Sequence, residues 1–307
     1  MKLKNKLTKF ISNPYEIFPY LGSKELLNWM PDKLYLMLCF KSQLGYFPNL
    51  NNPKTFNEKL QWLKLHDRNP RYTKLVDKYE VRKYIAKKIG KEYLIPLIGV
   101  WDKFEDIDFD KLPNQFVLKT THDSGGVFIC KDKNSFDIEE TRKKINSHLK
   151  RNYYWGGREW PYKNVKPRII CEKYMVDESG HELKDYKIFC FNGKPKLIQV
   201  DYERYINHKR NLYNIKWQYL NLEIKYPTDK TVIIQKPQNF DKMIKLARIL
   251  SKDFAHVRID FYSIKDKLYF GEITLYHGSG YKEIRPFKYD KLMGSWINLL
   301  KTRRKYL

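Results

Sequence analysis

HVRIDFYSIKDKLYFGEITLY, residues 256–276, predicts two short strands joined by a tight polar turn at residues 265–267. Each strand carries one carboxylate among hydrophobic neighbours, Asp260 in the first and Glu272 in the second. A carboxylate in such a setting loses much of its hydration, and two of them facing each other across a hairpin would repel unless a cation lay between them. Hard divalent ions such as Mg2+ take oxygen ligands of this kind, often together with substrate phosphates. The hairpin is therefore a candidate metal site, with two ordinary strand residues on a solvated face as the alternative.

Length and charge narrow the class of protein. The 307 residues are enough for two or three subdomains with a substantial core. Lys and Arg number 60 against 35 Asp and Glu, a formal net charge of +25 that favours polyanionic partners. The lysines are scattered, and the sequence has neither zinc-finger spacing nor an RNA-recognition signature, so nucleic acid is not the expected partner.

Cysteine usage and hydropathy indicate a cytoplasmic protein. The four cysteines form no CxxC pair, and three of them lie in apolar strand-like runs, as reduced and buried thiols do. No apolar run approaches the ~20 residues needed to span a bilayer. Residues 3–40 are basic and aromatic, which predicts a helical segment packed on the domain. A peripheral contact with the inner membrane surface or with polysaccharide-assembly proteins is the alternative.

The order of predicted elements indicates an α+β fold rather than a doubly wound parallel sheet. Helices are predicted at residues 58–67, 73–89, 138–152, 239–252 and 289–300, and strands at residues 116–119, 127–130, 168–172, 184–191 and 196–202. Asn57 is the expected cap of the first helix, Gly90 ends the second, and Asn192-Gly193 predicts a tight turn between the last two strands. No GxGxxG or GxxxxGK[ST] motif occurs, so a Rossmann or P-loop nucleotide site is not supported.

Two lysines lie where an anion would be expected. Lys119 ends an apolar run and precedes a small loop that includes Ser124, Gly125 and Gly126. The backbone N–H groups of such a loop, together with an ammonium, can hold polyphosphate, although a surface lysine before a hairpin turn is the alternative. Lys187 lies inside a second apolar strand, where its charge is costly unless an anion pairs with it.

An arginine joins the carboxylate hairpin. Arg258 lies two residues before Asp260 in the same predicted strand, and strand side chains alternate, so both point to one face. Arginine binds the oxygens of a phosphoryl or carboxyl group as a fork, and a metal neutralises the remaining charge. The pair therefore suits a phosphorylated acyl group.

Eight segments, taken in order, carry a resemblance that covers most of the chain from about Gly45 onward. They read NPKTFNEKLQWLKL, DKYEVRKYIAKKIG, YLIPLIGVW, LPNQFVLKTTHDSGG, CEKYM, LKDYKIFCFNG, RIDFY and YFGEIT. The sequence resembles the ATP-grasp superfamily, and within it the TupA-like branch that is linked to teichuronopeptide and capsular polysaccharide synthesis. The resemblance implies a helical region at residues 1–95, then two subdomains that grip ATP between antiparallel sheets. Residues 96–175 would hold the phosphate loop and adenine hinge, and residues 176–307 the metal and catalytic residues.

The resemblance also implies roles for individual residues. The nucleotide ligands would be Lys119, Ser124, Gly125, Gly126, Glu172, Lys173, Tyr174, Met175 and Lys187. Arg258 and Lys187 would act in catalysis, and Asp260 and Glu272 would hold Mg2+. Many ATP-grasp enzymes have an asparagine two residues after the second acidic ligand, whereas this chain has Thr274, a weaker metal ligand.

The resulting hypothesis is an ATP- and Mg2+-dependent carboxylate–amine ligase that forms an amide through an acyl phosphate and releases ADP and phosphate. The carboxylate would be a uronic acid of a capsular or other surface polysaccharide, and the amine an amino acid or a small amino alcohol. Substrate contacts are expected from Arg204, Lys209, Arg210, His277 and Ser279, with solvated surface charge as the alternative for the basic three. The alternatives for the whole protein are a glycosyltransferase of capsule synthesis and a non-catalytic polysaccharide- or membrane-binding protein.

Overall fold

Helices form the N-terminal third of the protein in the computed structural model, which describes residues 12–177, 183–202 and 208–299. The five helices are α1 (Ile17–Ser23), α2 (Asp32–Leu44), α3 (Phe56–His66), α4 (Arg71–Val76) and α5 (Val81–Lys88). Helix α3 begins at a capping box, in which the Thr55 hydroxyl accepts the Glu58 N–H at 3.1 Å and the Glu58 carboxylate accepts the Thr55 N–H at 3.0 Å. The prediction that Asn57 caps this helix is wrong. Asn57 lies inside the helix and donates a hydrogen bond from its side-chain amide to Asp290 at 3.2 Å.

The prediction of one helix over residues 73–89 is also wrong, because α4 and α5 are separate. Asp77 between them is extended (ψ 115°), and its carboxylate accepts the backbone N–H of Tyr79 at 2.8 Å. This local bond competes with a continuous helix. Arg168 fixes the break by donating to Asp77 at 3.0 Å and to Glu80 at 3.2 Å. The break turns the intervening Lys78 towards the strands, where its N–H binds the Thr121 carbonyl at 3.1 Å.

The remainder of the chain is built on antiparallel strands. The strands are β1 (Leu97–Trp101), β2 (Phe116–Thr120), β3 (Val127–Cys130), β4 (Ile169–Lys173), β5 (Asp185–Phe191), β6 (Lys194–Tyr202), β7 (Lys209–Asn214), β8 (Tyr219–Leu220), β9 (Glu223–Ile224), β10 (His256–Ile264), β11 (Lys267–Thr274) and β12 (Ile284–Arg285). They form a four-stranded sheet in the order β1-β4-β2-β3, a six-stranded sheet in the order β11-β10-β5-β6-β7-β8, and the pair β12-β9. The later helices are α6 (Ile138–Leu149), α7 (Tyr154–Gly157), α8 (Phe240–Ser251) and α9 (Lys288–Ser295). The α+β class is confirmed.

The predicted hairpins are confirmed, and each combines a two-residue turn with a register shift further along its strands. Asn192 and Gly193 both have positive φ, 48° and 78°, which is the conformation that the two-residue turn between β5 and β6 requires. The carboxylate hairpin turns at Lys265 (φ 52°) and Asp266, so that β10 pairs with β11 on one side and with β5 on the other.

Each large sheet has its own hydrophobic core, and the functional cleft lies between the two sheets. The larger core joins α3, α4, α5 and α8 to the six-stranded sheet, and the smaller core packs Ile145 of α6 against Phe116, Leu118 and Ile169. All four cysteines are buried and free, as predicted. Within the described ranges, no helix is long and apolar enough to cross a membrane. The subdomain boundaries at residues 95 and 175 stay predictions.

Candidate functional site

A cavity of about 790 Å3 opens between the two large sheets. Its lining includes residues from the four-stranded sheet, from the six-stranded sheet and from the segment after β4, among them Lys119, Glu172, Lys173, Tyr174, Met175, Lys187, Asp260 and Glu272. The structure therefore brings together eight of the residues that the sequence had assigned to nucleotide and metal binding.

The carboxylate hairpin forms one wall of this cavity. Asp260 on β10 lies directly opposite Glu272 on β11, and Arg258 lies opposite Thr274 two pairs further along. Arg258 grips Asp260 as a fork, with Nε to Oδ1 and Nη2 to Oδ2 both at 2.7 Å, and Nη2 also donates to Glu272 Oε1 at 2.6 Å. The cation predicted between the two carboxylates is thus supplied, in the protein alone, by the arginine. The Thr274 hydroxyl donates to Glu272 Oε1 and so orients that carboxylate.

The two carboxylates differ in the direction of their pKa shifts and in their exposure. Burial raises the pKa of Asp260 above its ordinary value, against the opposing charges of Arg258 and Lys187. Burial also acts to raise the pKa of Glu272, but Arg258 and Lys187 outweigh it and hold that pKa below its ordinary value. The Glu272 side chain is 47% exposed to the cleft, against 2% for Asp260. Glu272 is therefore the more accessible member of the pair, and its surroundings favour the ionised form more strongly than those of Asp260 do.

The donor set fits Mg2+. Glu272 Oε1 is occupied by Arg258 and Thr274, whereas no hydrogen bond to Oε2 occurs among the described residues. Asp260 Oδ1 accepts one hydrogen bond, from Arg258, and a carboxylate oxygen has two lone pairs. No group of three or more His, Cys, Asp or Glu side chains is placed to hold a metal in the described part of the chain. Two carboxylates with open oxygen sites suit Mg2+, which keeps waters and phosphate oxygens in its shell.

Both predicted phosphate lysines are held by carboxylates. Lys119 donates to Glu172 Oε2 at 2.6 Å, and Arg82 of α5 donates to Glu172 Oε1 at 2.8 Å. Lys187 donates to Asp185 and, at 3.2 Å, to Asp260 Oδ2. These ion pairs hold the two ammonium groups on opposite walls of the cavity.

The predicted phosphate loop is anchored at its base and open at its tip. The Thr120 N–H binds the Gly126 carbonyl at 2.9 Å, and the Asp123 carboxylate bonds both the Thr120 hydroxyl and His148 of α6. A side chain at Gly126 would collide with the Thr120 hydroxyl, and Gly125 has φ +91°. Ser124 and Gly125 line a second cavity and are not part of this base. The sequence places glycine where the chain must turn tightly and pass close to Thr120.

Lys78 was missed by the sequence reasoning. Its ammonium donates to the Thr120 carbonyl at 2.9 Å and to the Asp123 carbonyl, so it lies under the phosphate loop. Burial lowers the pKa of Lys78 below its ordinary value, although Asp123 opposes this. Lys78 was missed because the apolar spacing of residues 73–89 predicted a continuous helix. Asp77 inside that pattern could have indicated the break, since aspartate favours caps and turns over helix interiors.

A second cavity of about 460 Å3 adjoins the first. The two share Lys78, Val127, Gly271 and Glu272, so they meet at the metal-binding end of the hairpin. Of these two cavities, Arg258, Thr274 and Ser279 line the second and not the first. A group in either cavity can therefore approach the same point beside Glu272.

The predicted substrate residues are dispersed. Arg204 lies outside the described residues. Lys209 binds Asp229 at 2.8 Å and Arg210 binds Asp201 at 2.6 Å, on a strand that β5 and β6 separate from β10, and neither lines the two cavities. Their role in substrate binding stays a prediction.

The two candidates after β11 lie close to the cleft. His277 Nδ1 is 2.7 Å from Arg258 Nη1, and burial, followed by nearby cations, lowers the pKa of this imidazole well below its ordinary value. His277 is therefore neutral and accepts a hydrogen bond that fixes Arg258. Ser279 lines the second cavity, and its hydroxyl accepts a hydrogen bond from Lys64 at 2.9 Å.

Comparison with known proteins gives a family and several solved structures. The TupA-like ATPgrasp family matches residues 58–298, most of the chain. Among solved structures, D-alanine–D-alanine ligase from Bacillus anthracis complexed with ATP is similar at 18% identity and TM-score 0.38, over 66% of this chain and 53% of that one. The corresponding ligase from Helicobacter pylori has 16% identity and TM-score 0.40, over 79% and 69% of the two chains. The ATP-grasp ligase PsnB, complexed with a phosphomimetic precursor variant, Mg and ADP, has 9% identity and TM-score 0.42, over 80% and 65%.

The match with the first of these structures is partial. The chain spans about half the length of the ATP-complexed Bacillus anthracis ligase. Among curated proteins, no match was found. The prediction of an ATP-grasp protein is confirmed at the level of the family. The match over residues 58–298 shows that this chain belongs to the TupA-like ATP-grasp family.

Proposed function

We propose that this protein is an ATP- and Mg2+-dependent carboxylate–amine ligase that joins an amine to a uronic acid of a surface polysaccharide or its precursor. The observation that carries the proposal is the meeting of the two cavities beside Glu272 and Lys78. The larger cavity has the volume and the cationic walls for a nucleotide. The smaller one would hold the carboxylate and the amine. The uronic acid and the polysaccharide rest on the resemblance to the TupA-like branch and on the net charge of +25.

The residues of the larger cavity have separate tasks in this proposal. Lys119, Lys187 and Lys78 bind the phosphates of ATP from three directions. Residues 172–175 contact the adenine with backbone groups at the end of β4. Ser124 and Gly125 cover the phosphates from the side of the smaller cavity, which they line. The base of their loop is fixed, whereas its tip faces that cavity.

The reaction would take place beside Arg258. A substrate carboxylate attacks the γ-phosphorus of ATP and ADP leaves; the amine then attacks the acyl carbon, phosphate leaves, and the nitrogen loses a proton. Arg258, held by Asp260 and His277, presents its guanidinium to the transferred phosphoryl group. Asp260 and Glu272, the latter oriented by Thr274, would hold Mg2+, which would supply charge neutralisation for the phosphates. Closure of the loop over residues 124–126 excludes water from an acyl phosphate.

An ADP-release screen of uronates against amines, with the product mass measured, tests the proposal. Asp260→Asn and Glu272→Gln keep the shape of each side chain and remove its charge, so we expect both to lower ADP release at least 100-fold. Asp266→Asn, at the exposed turn of the same hairpin, is the control and should retain activity. Undiminished turnover in the first two variants would overturn the site assignment.

Nucleotide preference separates this proposal from a glycosyltransferase. ATP with Mg2+ should raise the melting temperature of the wild-type protein, whereas UDP-sugars should not. Stabilisation by UDP-sugars alone would favour glycosyl transfer, and no stabilisation by any nucleotide would favour a non-catalytic binding protein.

A further inference from the structure

The smaller cavity contains a buried carboxylate that the proposed chemistry has not used. Glu159 follows α7, is 5% exposed, and lines this cavity together with Tyr153, Tyr162 and Ser279. The same glutamate borders a further pocket of about 170 Å3 on its other side. Its position is therefore one from which a small group entering the smaller cavity can be contacted.

Glu159 forms no direct ion pair in the part of the chain that the structure describes, although the charge of Lys64 acts on it. Every ion pair of the neighbouring hairpin involves Asp260 or Glu272 instead. Burial raises the pKa of Glu159 above its ordinary value, although Lys64 and a hydrogen bond from Ser279 act against this. A buried carboxylate that keeps only one neutral donor is costly unless a cation compensates it.

Lys64 influences Glu159 through its charge but has no hydrogen bond left for it. Its ammonium has three donors, and all three are used: on the Gly157 carbonyl at 2.7 Å, the Ser279 carbonyl at 2.8 Å and the Ser279 hydroxyl at 2.9 Å. These bonds fix the two segments on either side of Glu159. Lys64 therefore builds the wall of the pocket, and the Glu159 carboxylate, which accepts one hydrogen bond from Ser279, keeps further lone pairs for a ligand.

The rest of the smaller cavity carries charges of both signs. Lys78, Arg258 and Lys282 line it, together with Asp123 and, from the hairpin, Glu272. The charge of Glu272 raises the proton affinity of Glu159. The Asp123 carboxylate is held by the Thr120 hydroxyl and His148, so the lining offers cations for an anionic acceptor and, separately, one carboxylate outside the metal hairpin that forms no direct ion pair among the described residues.

We infer that Glu159 is the binding site for the ammonium group of the amine substrate. This inference rests on the proposed ligase function and adds the residue that selects the second substrate. An ammonium beside Glu159 forms the direct ion pair that Lys64 does not form with this buried carboxylate, and the Ser279 hydroxyl provides a second acceptor. The phenol rings of Tyr153 and Tyr162 exclude water and strengthen the ion pair.

Calorimetry on the full-length protein saturated with AMP-PNP and Mg2+ tests this inference. The probes are ethanolamine, 2-amino-1,3-propanediol, glycine and L-serine, with ethylene glycol and glycerol as uncharged counterparts. We expect at least one amine to bind the wild-type protein and its uncharged counterpart not to bind. Glu159→Gln should weaken that amine at least tenfold and leave the affinity for AMP-PNP within twofold. Glu139→Gln, a surface carboxylate on α6, is the matched control and should change neither.

Three outcomes would overturn the inference: no amine binds the wild-type protein, the uncharged counterpart binds equally well, or Glu159→Gln weakens amine and nucleotide alike, as a purely structural glutamate would. The wild-type comparison of charged and uncharged probes decides the matter even if Glu159→Gln does not fold. Failure of the ligase proposal is a different result, the absence of AMP-PNP binding. In that case the same amine titrations of the nucleotide-free protein still decide the role of Glu159.

Discussion

Removal of the guanidinium between the two hairpin carboxylates should lower the free energy of unfolding, and the recovery of that loss by Mg2+ tests the metal site. Arg258→Met keeps the unbranched side chain as far as the position of Nε and deletes the contacts of the guanidinium with Asp260, Glu272 and His277, all between 2.6 and 2.7 Å. Loss of one partner of a buried ion pair costs about 3–5 kcal/mol. Because Lys187 remains 3.2 Å from Asp260 Oδ2 and Glu272 is half exposed, we expect the lower end, about 3 kcal/mol, in EDTA.

Mg2+ should restore most of this loss. A divalent ion between Asp260 and Glu272 takes the place of the missing cation, and a ligand present at 100 times its dissociation constant stabilises the native state by about 2.7 kcal/mol. Urea unfolding followed by tryptophan fluorescence, in EDTA, in MgCl2 and in NaCl of equal ionic strength, measures both effects. Arg248→Met, an exposed arginine of α8, should lose less than about 0.5 kcal/mol under all three conditions.

The reasoning would be refuted if Arg258→Met lost less than about 1 kcal/mol in EDTA, since the guanidinium would then not compensate the carboxylates. Equal recovery in NaCl and MgCl2 would refute the metal site in particular. Such a result would mean that general screening, and not an ion held by two carboxylates, relieves the repulsion.

Two further predictions concern stability away from the cleft. Thr55→Ala removes the hydroxyl that caps α3 and should lower the free energy of unfolding by about 1 kcal/mol in urea; an unchanged midpoint would show that the cap is dispensable. His256 is buried edge-on against Phe56, and burial lowers its pKa to about 3. Below its ordinary pKa of 6.5 the unfolded chain takes up a proton that the native protein does not, so stability is lost as the pH falls, by about 2 kcal/mol at pH 5. His256→Leu should remove that part of the acid sensitivity between pH 7 and pH 5, and an identical slope in the two proteins would contradict the assignment.

The local pattern of the chain was sufficient for the hairpins and for part of the site. Alternation along a strand depends only on neighbouring residues, so Arg258 and Asp260 could be assigned to one face before the fold was known. The Asn192-Gly193 turn was predictable for the same reason, because both residues tolerate positive φ. Pairing from the two-residue turn alone would place Asp260 opposite Gly271, and a register shift between Asp260 and Phe261 brings it opposite Glu272 instead.

The break between α4 and α5 could not be predicted from periodicity. The apolar spacing of residues 73–89 suits one helix, and local propensity is weak compared with tertiary contacts. Arg168, 91 residues further along the chain, holds Asp77 in an extended conformation at 3.0 Å. Only this long-range ion pair brings Lys78 under the phosphate loop.

The sequence by itself determined the antiparallel strands, the carboxylate hairpin and the residue types of an ATP-grasp site, because these depend on contacts close along the chain. The tertiary structure alone decided which charges compensate one another. It paired Glu172 with Lys119 and Arg82. It also paired Lys209 and Arg210 with aspartates away from the cleft. It also left Glu159 without an ion-pair partner among the described residues. The physical reason is that the free energy of a buried charge is set by groups within a few ångströms in space, and their distance along the chain carries no information about that.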